Sequence, residues 1–125
     1  MNGGASGWLR RAHTTLHAAR VLLDVEPEGA ASRAYYAAFY AVSAVFAARG
    51  ESFRKHAQAR AAVHRDLVHA GLWTPAVGEL YDRRPALRDR GDYALSGVTR
   101  EAASQAVEDA AMIVAAAAAL LPAEA

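Results

Sequence analysis

Alanine occupies 33 of the 125 positions, and this abundance restricts the possible folds more than any other feature of the sequence. Alanine has the highest intrinsic helix propensity, whereas valine, isoleucine and threonine, which favour strands, together supply only 15 residues. No stretch shows the sustained alternation of apolar and polar residues that is typical of a half-buried strand. The sequence therefore predicts an all-α protein whose small side chains let neighbouring helices approach closely.

Five helices separated by short breaks account for the whole sequence, and they form a single domain over residues 1–125. Their predicted bounds are about residues 6–24, 30–49, 55–70, from 74 onward, and 100–121. Short connections of this kind favour a five-helix up-and-down antiparallel bundle. Pro85 lies inside the fourth predicted helix, where it removes a backbone hydrogen bond, so we expect a kink or a split there.

Residues suited to helix ends support these bounds. Ser6, Thr74 and Thr99 are predicted N-caps, and Pro75 then takes the first helical position of the fourth helix. Gly50 and Gly71 are predicted to end the second and third helices, while the segment 26–29 is expected to break the chain before the second. In the last helix, Glu108 and Asp109 are predicted to mark the exposed side.

Charge and cysteine content exclude several classes of function. Fourteen basic and 13 acidic side chains leave a net charge of +1, so any binding to nucleic acid requires a local patch. The absence of cysteine excludes disulfides, thiolate metal sites and a cysteine nucleophile. The longest uncharged runs have 15 and 14 residues, short of the roughly 20 apolar residues that span a bilayer. The sequence predicts a soluble, cytoplasmic protein with no membrane association.

The densest polar cluster spans residues 82–93, with four arginines and three aspartates. If this segment is helical, Arg84, Arg88 and Asp92 lie on one face at steps of four. The planar guanidinium fork donates two hydrogen bonds at once to a phosphate, so this cluster with Tyr93 is a candidate site for a nucleotide or an RNA backbone. The alternative is that the arginines and aspartates only bridge neighbouring helices.

A second candidate group lies in the segment 32–40. Arg33 opens a very apolar helix, so its charge requires a partner such as Asp89 or Asp92 if the side chain is buried. Tyr36 and the neighbouring tyrosines are either core residues with hydrogen-bonded hydroxyls or platforms on which bases stack.

The histidines give weaker signals. His13 and His17 are four residues apart, but without a third ligand at a recognisable spacing they are predicted to be surface residues. His56 is predicted to serve the start of the third helix. With no glycine-rich phosphate loop and no serine in a nucleophile elbow, the sequence predicts neither a metal nor a cofactor.

The chain resembles the HEPN (higher eukaryotes and prokaryotes nucleotide-binding) domain over about residues 8–121. Four segments in chain order carry the resemblance: Ser-Arg-Ala-Tyr-Tyr-Ala-Ala-Phe-Tyr-Ala (32–41), Arg-Gly (49–50), Lys-His (55–56) and Arg-Asp-Arg-Gly-Asp-Tyr (88–93). They are most similar to the short, stand-alone branch of the family. The resemblance implies a helical bundle with a four-helix core, usually a homodimer. Many members act with a small nucleotidyltransferase as a toxin–antitoxin pair.

Active HEPN toxins are metal-independent ribonucleases that use an arginine followed, after four to six residues, by a histidine, and this motif lies near the fourth helix. Arg88 matches that arginine, but no histidine follows His69. Arg11–His17 and Arg49–His56 have the required spacing by chance, since they lie outside the fourth helix. The resemblance therefore favours a dimeric binding module that pairs with a small nucleotidyltransferase and binds nucleotide or RNA.

The residues predicted to bind this ligand are Arg33, Tyr36, Arg84, Arg88, Asp92 and Tyr93. One alternative is a ribonuclease that uses Arg88 with Asp92 or Tyr93 in place of the histidine. The other is a purely structural dimer in which the arginine–aspartate pairs fix the register of the helices.

Overall fold

The computed structural model describes residues 3–83 and 98–122, and all regular elements in these residues are helical. The helices are α1 (Gly3–Leu22), α2 (Pro27–Ala47), α3 (His56–Ala62), α4 (described over residues 75–83) and α5 (Arg100–Ala119). A π-helical segment, Val63–Val68, continues α3 without a break. The predicted all-α bundle is confirmed, while Pro85 and its predicted kink lie outside the described residues.

Helix α2 is the centre of the bundle and packs against both α1 and α5. Small residues make this packing possible. Ala12 and Ala19 of α1 are completely buried, and so are Ala103, Ala110 and Ala117 of α5. A spacing of seven residues returns a side chain to nearly the same face of a helix, so these alanines form narrow stripes against which α2 lies.

The second helix begins earlier than the sequence indicated. We expected residues 26–29 to break the chain, but α2 starts at Pro27, so that expectation is wrong. Proline has no backbone N–H to lose and its φ angle already suits a helix, so it is favoured at the first helical position. The break lies instead at residues 23–26, before Pro27.

The predicted helix ends are confirmed at most positions. The Oγ1 atoms of Thr74 and Thr99 accept hydrogen bonds from the backbone N–H groups of Val77 (3.3 Å) and Ala102 (3.0 Å). Gly50 and Gly71 adopt φ angles of +80° and +82°, a region that favours glycine. Ser6 is not an N-cap, because α1 already begins at Gly3.

The third predicted helix changes its hydrogen-bonding pattern partway along. The N–H of His69 donates to the carbonyl of His64, five residues earlier, at 2.9 Å, which is the bonding of a π-helix. The wider turn changes the angular position of each side chain from Val63 to Val68 relative to an α-helix. π-Helical turns occur frequently at functional sites.

The prediction for Asp109 is wrong, because its carboxylate is buried. Asp109 is only 4% exposed and accepts hydrogen bonds from Arg83 Nη2 and Gln105 Nε2, both at 2.9 Å. Glu108, the neighbouring acidic residue, is exposed as expected. The buried carboxylate therefore links α5 to the last described turn of α4.

Candidate ligand-binding surface

Two rows of side chains meet where α1 and α2 run side by side. The short connection between these helices makes them antiparallel, so the start of α1 lies beside the end of α2. Steps of three or four residues keep each row on one helix face. We call the combined area the α1–α2 surface; its members are Trp8, Arg11, Thr14, Thr15, Arg33, Tyr36 and Tyr40.

One end of the α1–α2 surface is aromatic and carries a cation. The ring of Tyr40 lies 5.6 Å from that of Trp8 and 6.0 Å from that of Tyr36, measured between centroids. The guanidinium carbon of Arg11 is 4.7 Å from the Tyr40 centroid and 5.7 Å from that of Trp8, within the range of cation–π attraction. The three rings are half-buried and Arg11 is exposed. This end therefore offers π-faces and a positive charge together.

His56 extends the aromatic group to the start of α3. Its ring centroid lies 4.3 Å from that of Phe39, 4.8 Å from that of Tyr35 and 5.7 Å from that of Tyr36. His56 is the first residue of α3, as predicted, but it also packs among three rings of α2. Because this contact brings together residues from two elements, no spacing in the sequence reveals it.

The other end of the α1–α2 surface is a groove around Arg33. The groove has a volume of about 520 Å³, and the described residues that line it are Thr14, Thr15, Ala18, Val21, Leu22 and Arg33. Arg33 is exposed, and within residues 3–83 and 98–122 it forms no ion pair. Water can therefore hydrate the guanidinium, which does not need the aspartate partner that a buried arginine would require.

The predicted ligand-binding residues divide into two sets. Arg33 and Tyr36 are described, and they lie on the same face of α2, at the groove end and the aromatic end respectively. The others lie outside the described residues: Arg84, Arg88, Asp92 and Tyr93. Trp8 and Arg11 were missed because their grouping with α2 depends on the pairing of the two helices, whereas Tyr40 was among the tyrosines considered as platforms for bases.

Neither Arg49 with His56 nor Arg11 with His17 forms a shared site. Arg49 lies over the ring of Phe46, at 5.4 Å from its centroid, whereas His56 packs against Phe39. His13 and His17 are both exposed on α1, as predicted for surface residues. Arg11 and His17 are six residues apart on one helix, which directs their side chains to different faces.

A second polar cluster, formed by Arg60, His64 and Asp82, joins the third and fourth helices. His64 Nε2 lies 2.9 and 3.0 Å from the two carboxylate oxygens of Asp82, and Arg60 Nε donates to Asp82 Oδ1 at 3.1 Å. A Cβ atom placed on Gly78 would lie 3.1 Å from His64 Cε1. The imidazole is therefore held between a carboxylate and a closely packed helix backbone, an arrangement that positions α4 against the π-helical segment.

Arg65 and Asp66, also in the π-helical segment, pair with each other on the surface. Arg65 donates two hydrogen bonds to the carboxylate, both at 2.9 Å. The hydrogen bond from Arg65 lowers the pKa of Asp66, and the same hydrogen bond raises the pKa of Arg65. Arg65 is exposed and Asp66 is half-buried, and a pair formed by adjacent residues contributes little to stability.

The chain also matches known proteins. The sequence profile of the HEPN domain family matches residues 5–120. The chain belongs to the HEPN domain family. The resemblance that the four segments indicated is thereby confirmed, and the matched region contains the complete α1–α2 surface.

One relative of this HEPN chain is a UPF0332 protein of Thermotoga maritima. The two sequences are 42% identical over 87 residues, which cover 69% of this chain and 66% of that protein. The match therefore spans just under two thirds of the relative's length. A solved structure, that of TT1696 from Thermus thermophilus, has a TM-score of 0.73 and 25% identity, covering 97% of this chain and 100% of TT1696. This HEPN chain thus shares the fold of a chain solved by crystallography.

The helices of this HEPN chain do not meet the requirements of a membrane span. In the part of the chain that the structure describes, no helix is both long enough and apolar enough to cross a membrane. This agrees with the length of the uncharged runs in the sequence, which are interrupted by charge before they reach about 20 residues.

Proposed function

We propose that this HEPN protein is a cytoplasmic homodimeric binding module that acts with a small nucleotidyltransferase and binds nucleotide or RNA. The proposal of a nucleotide or RNA ligand rests on the aromatic end of the α1–α2 surface. Trp8, Tyr36 and Tyr40 supply half-buried rings, and Arg11 adds an exposed guanidinium over Tyr40. Aromatic faces combined with arginine are the usual means of holding unpaired bases.

Membership of the HEPN family supports the other parts of the proposal. Membership of this family implies a homodimer, and many members of the family pair with a small nucleotidyltransferase. Arg84, Arg88, Asp92 and Tyr93 complete the proposed ligand site, on the argument from their sequence spacing. A nucleotidyltransferase encoded beside this chain, and co-purification of the two proteins, would support the pairing.

The ligand proposal is tested by titrating the purified protein into fluorescently labelled single-stranded RNA in the presence of EDTA. Stacking of a base on an aromatic side chain contributes about 1–3 kcal/mol, so Tyr40→Ala is expected to weaken binding by about fivefold or more. Arg11→Gln is expected to weaken binding as well. Arg10→Gln is the matched control, since Arg10 is an exposed arginine of the same helix without a ring contact among the described residues.

The same experiment separates the three functions that the sequence allows. Binding without cleavage, weakened by Tyr40→Ala but not by Arg10→Gln, supports the binding module. Cleavage in EDTA by the wild type, lost in Arg88→Ala, would instead show a ribonuclease. A folded dimer that binds neither RNA nor a nucleotide would support the hypothesis of a purely structural dimer. Sedimentation of the same samples reports whether the dimer forms.

A further inference from the structure

The groove end of the α1–α2 surface contains a buried threonine whose hydroxyl has no partner among the described residues. Thr15 is only 9% exposed, and within residues 3–83 and 98–122 its hydroxyl has no hydrogen-bond partner. Most buried polar side-chain atoms in proteins do have a partner, because burying an unpaired hydroxyl costs free energy. Thr15 lines the groove, so a ligand there can accept the hydrogen bond that the protein leaves open.

Arg33 lies across the same groove from the two threonines. Its guanidinium is exposed and without an ion pair in the described part of the chain. Thr14, next to Thr15 in the groove, adds an exposed hydroxyl. None of the lining residues within 3–83 and 98–122 is acidic, so no carboxylate of these residues competes with an incoming anion. An arginine fork with hydroxyl donors is the donor set that matches phosphate oxygens.

The remaining walls of the groove are apolar. Ala18, Val21 and Leu22 form them, and Val21 is 60% exposed. The groove volume, about 520 Å³, falls in the range of roughly 300–1,000 Å³ that is typical of small-molecule sites. Apolar walls beside phosphate donors suit a phosphate group attached to a planar or apolar body better than a free inorganic ion.

We propose that this groove is a phosphate-ester subsite of the α1–α2 surface. Arg33 donates through its guanidinium and Thr15 through its hydroxyl to phosphate oxygens, and Val21 and Leu22 cover the attached group. This rests on the proposed function for its ligand class: the phosphate ester is that of a nucleotide or of an RNA strand whose bases reach Tyr36 and Tyr40.

The test uses NMR titration of the isotopically labelled full chain with three probes: uridine 5′-monophosphate, inorganic phosphate and uridine. The two phosphate probes are expected to shift the amide signals around Thr15 and the Nε–H signal of Arg33, and uridine at equal concentration is not. A hydrogen bond to a charged group is worth about 1.5–3 kcal/mol, so Arg33→Gln is expected to lower the affinity for the monophosphate about tenfold or more.

Variants of Thr15 separate hydroxyl donation from packing. Thr15→Val keeps the shape of the side chain and is expected to lower the affinity for the monophosphate several-fold. Thr15→Ser keeps the hydroxyl and is expected to retain binding. Arg20→Gln is the matched control, because Arg20 is an exposed arginine of α1 that does not line the groove. Equal affinity in the wild type, Arg33→Gln and Thr15→Val, with all three folded, would overturn the subsite.

Labelled RNA distinguishes failure of the subsite from failure of the proposed function. RNA binding that is lost in Tyr40→Ala and unchanged in Arg33→Gln would refute the subsite and keep the binding module. Shifts at Thr15 and Arg33 with the monophosphate, but no binding of any RNA, would keep the subsite for free nucleotides and refute the RNA part of the function. Weakening of both ligands by Arg33→Gln supports the two together.

Discussion

The ion pair between Arg83 and Asp109 joins one exposed and one buried charge. The Asp109 side chain is 6% exposed, whereas that of Arg83 is 59% exposed. Removing the arginine leaves a carboxylate in the interior, with Gln105 as its remaining donor in the described residues. Removing the carboxylate charge leaves a guanidinium that water can hydrate. The two partners therefore contribute unequally, although they share the same contact.

We expect Arg83→Gln to lower the free energy of unfolding by about 2–3 kcal/mol, because it leaves a buried carboxylate without its cation. Asp109→Asn is expected to cost only about 1 kcal/mol, since the amide oxygen still accepts a hydrogen bond and Arg83 becomes hydrated. Urea denaturation of both variants checks this order. Equal losses, or a larger loss for Asp109→Asn, would show that burial of the carboxylate does not control the energetics.

At the scale of single residues, the sequence predicted helix ends well and burial less well. Thr74 and Thr99 were identified correctly because an N-cap depends only on local bonding between a side chain and nearby N–H groups. The burial of Asp109 depends instead on an arginine 26 residues earlier in the chain. Without that partner in view, an aspartate beside a glutamate looks like part of the exposed face.

At the scale of helices, two glycines in helical segments have opposite surroundings. A Cβ atom on Gly78 would lie 2.8 Å from Val68 Cγ2 and 3.1 Å from His64 Cε1, whereas one on Gly7 would have no atom within 4 Å. Gly78 thus allows α4 to approach the π-helical segment closely, while Gly7 has no packing reason to be glycine.

Alanine at these two positions is expected to change stability in opposite directions. Gly7→Ala should raise the free energy of unfolding by about 0.5–1 kcal/mol, because alanine loses less backbone entropy in a helix. At Gly78 that gain is offset by overpacking of about 1–3 kcal/mol against the Val68 branch, so Gly78→Ala should be destabilising by about 1 kcal/mol. Thermal unfolding measures both. A stabilised Gly78→Ala would mean that the contact with α4 relaxes easily.

The helices themselves follow from the sequence, but the π-helical segment does not. Alanine-rich composition and caps predict where a helix forms. The start of α2 at Pro27 also follows from the sequence, because proline is favoured at the first helical position. The change at Val63–Val68 involves hydrogen bonds only one residue out of register. Contacts with α4 at Gly78 and Asp82 accompany that change, and these come from another part of the chain.

At the scale of the whole molecule, the candidate surface exists only because two helices pair. Arg33 and Tyr36 were identified from a single helix, whose spacing is readable in the sequence. Trp8 and Arg11 join them across the boundary between α1 and α2, and the packing of these two helices buries alanines of both. A sequence can thus predict half of such a surface, and the bundle supplies the other half.

The near-neutral charge of the molecule makes the salt dependence of RNA binding a direct count of local contacts. A net charge of +1 gives little long-range attraction, so each arginine that neutralises a phosphate contributes about −0.7 to the slope of log K against log[salt] for a single strand. Four proposed contacts, from Arg11, Arg33, Arg84 and Arg88, predict a slope of about −2.8. Arg33→Gln should reduce its magnitude by about 0.7, and the double variant Arg84→Gln/Arg88→Gln by about 1.4.

These slopes are measured by fluorescence anisotropy over a series of potassium chloride concentrations, with Arg10→Gln as the variant that should leave the slope unchanged. A wild-type slope of about −1.4 that the double variant does not alter would confine the RNA to the α1–α2 surface. A slope that falls in the double variant but not in Arg33→Gln would move the phosphate contacts to the segment 84–93. Because each arginine–phosphate contact adds the same increment to the slope, one experiment counts the contacts of the α1–α2 surface and of the segment 84–93 separately.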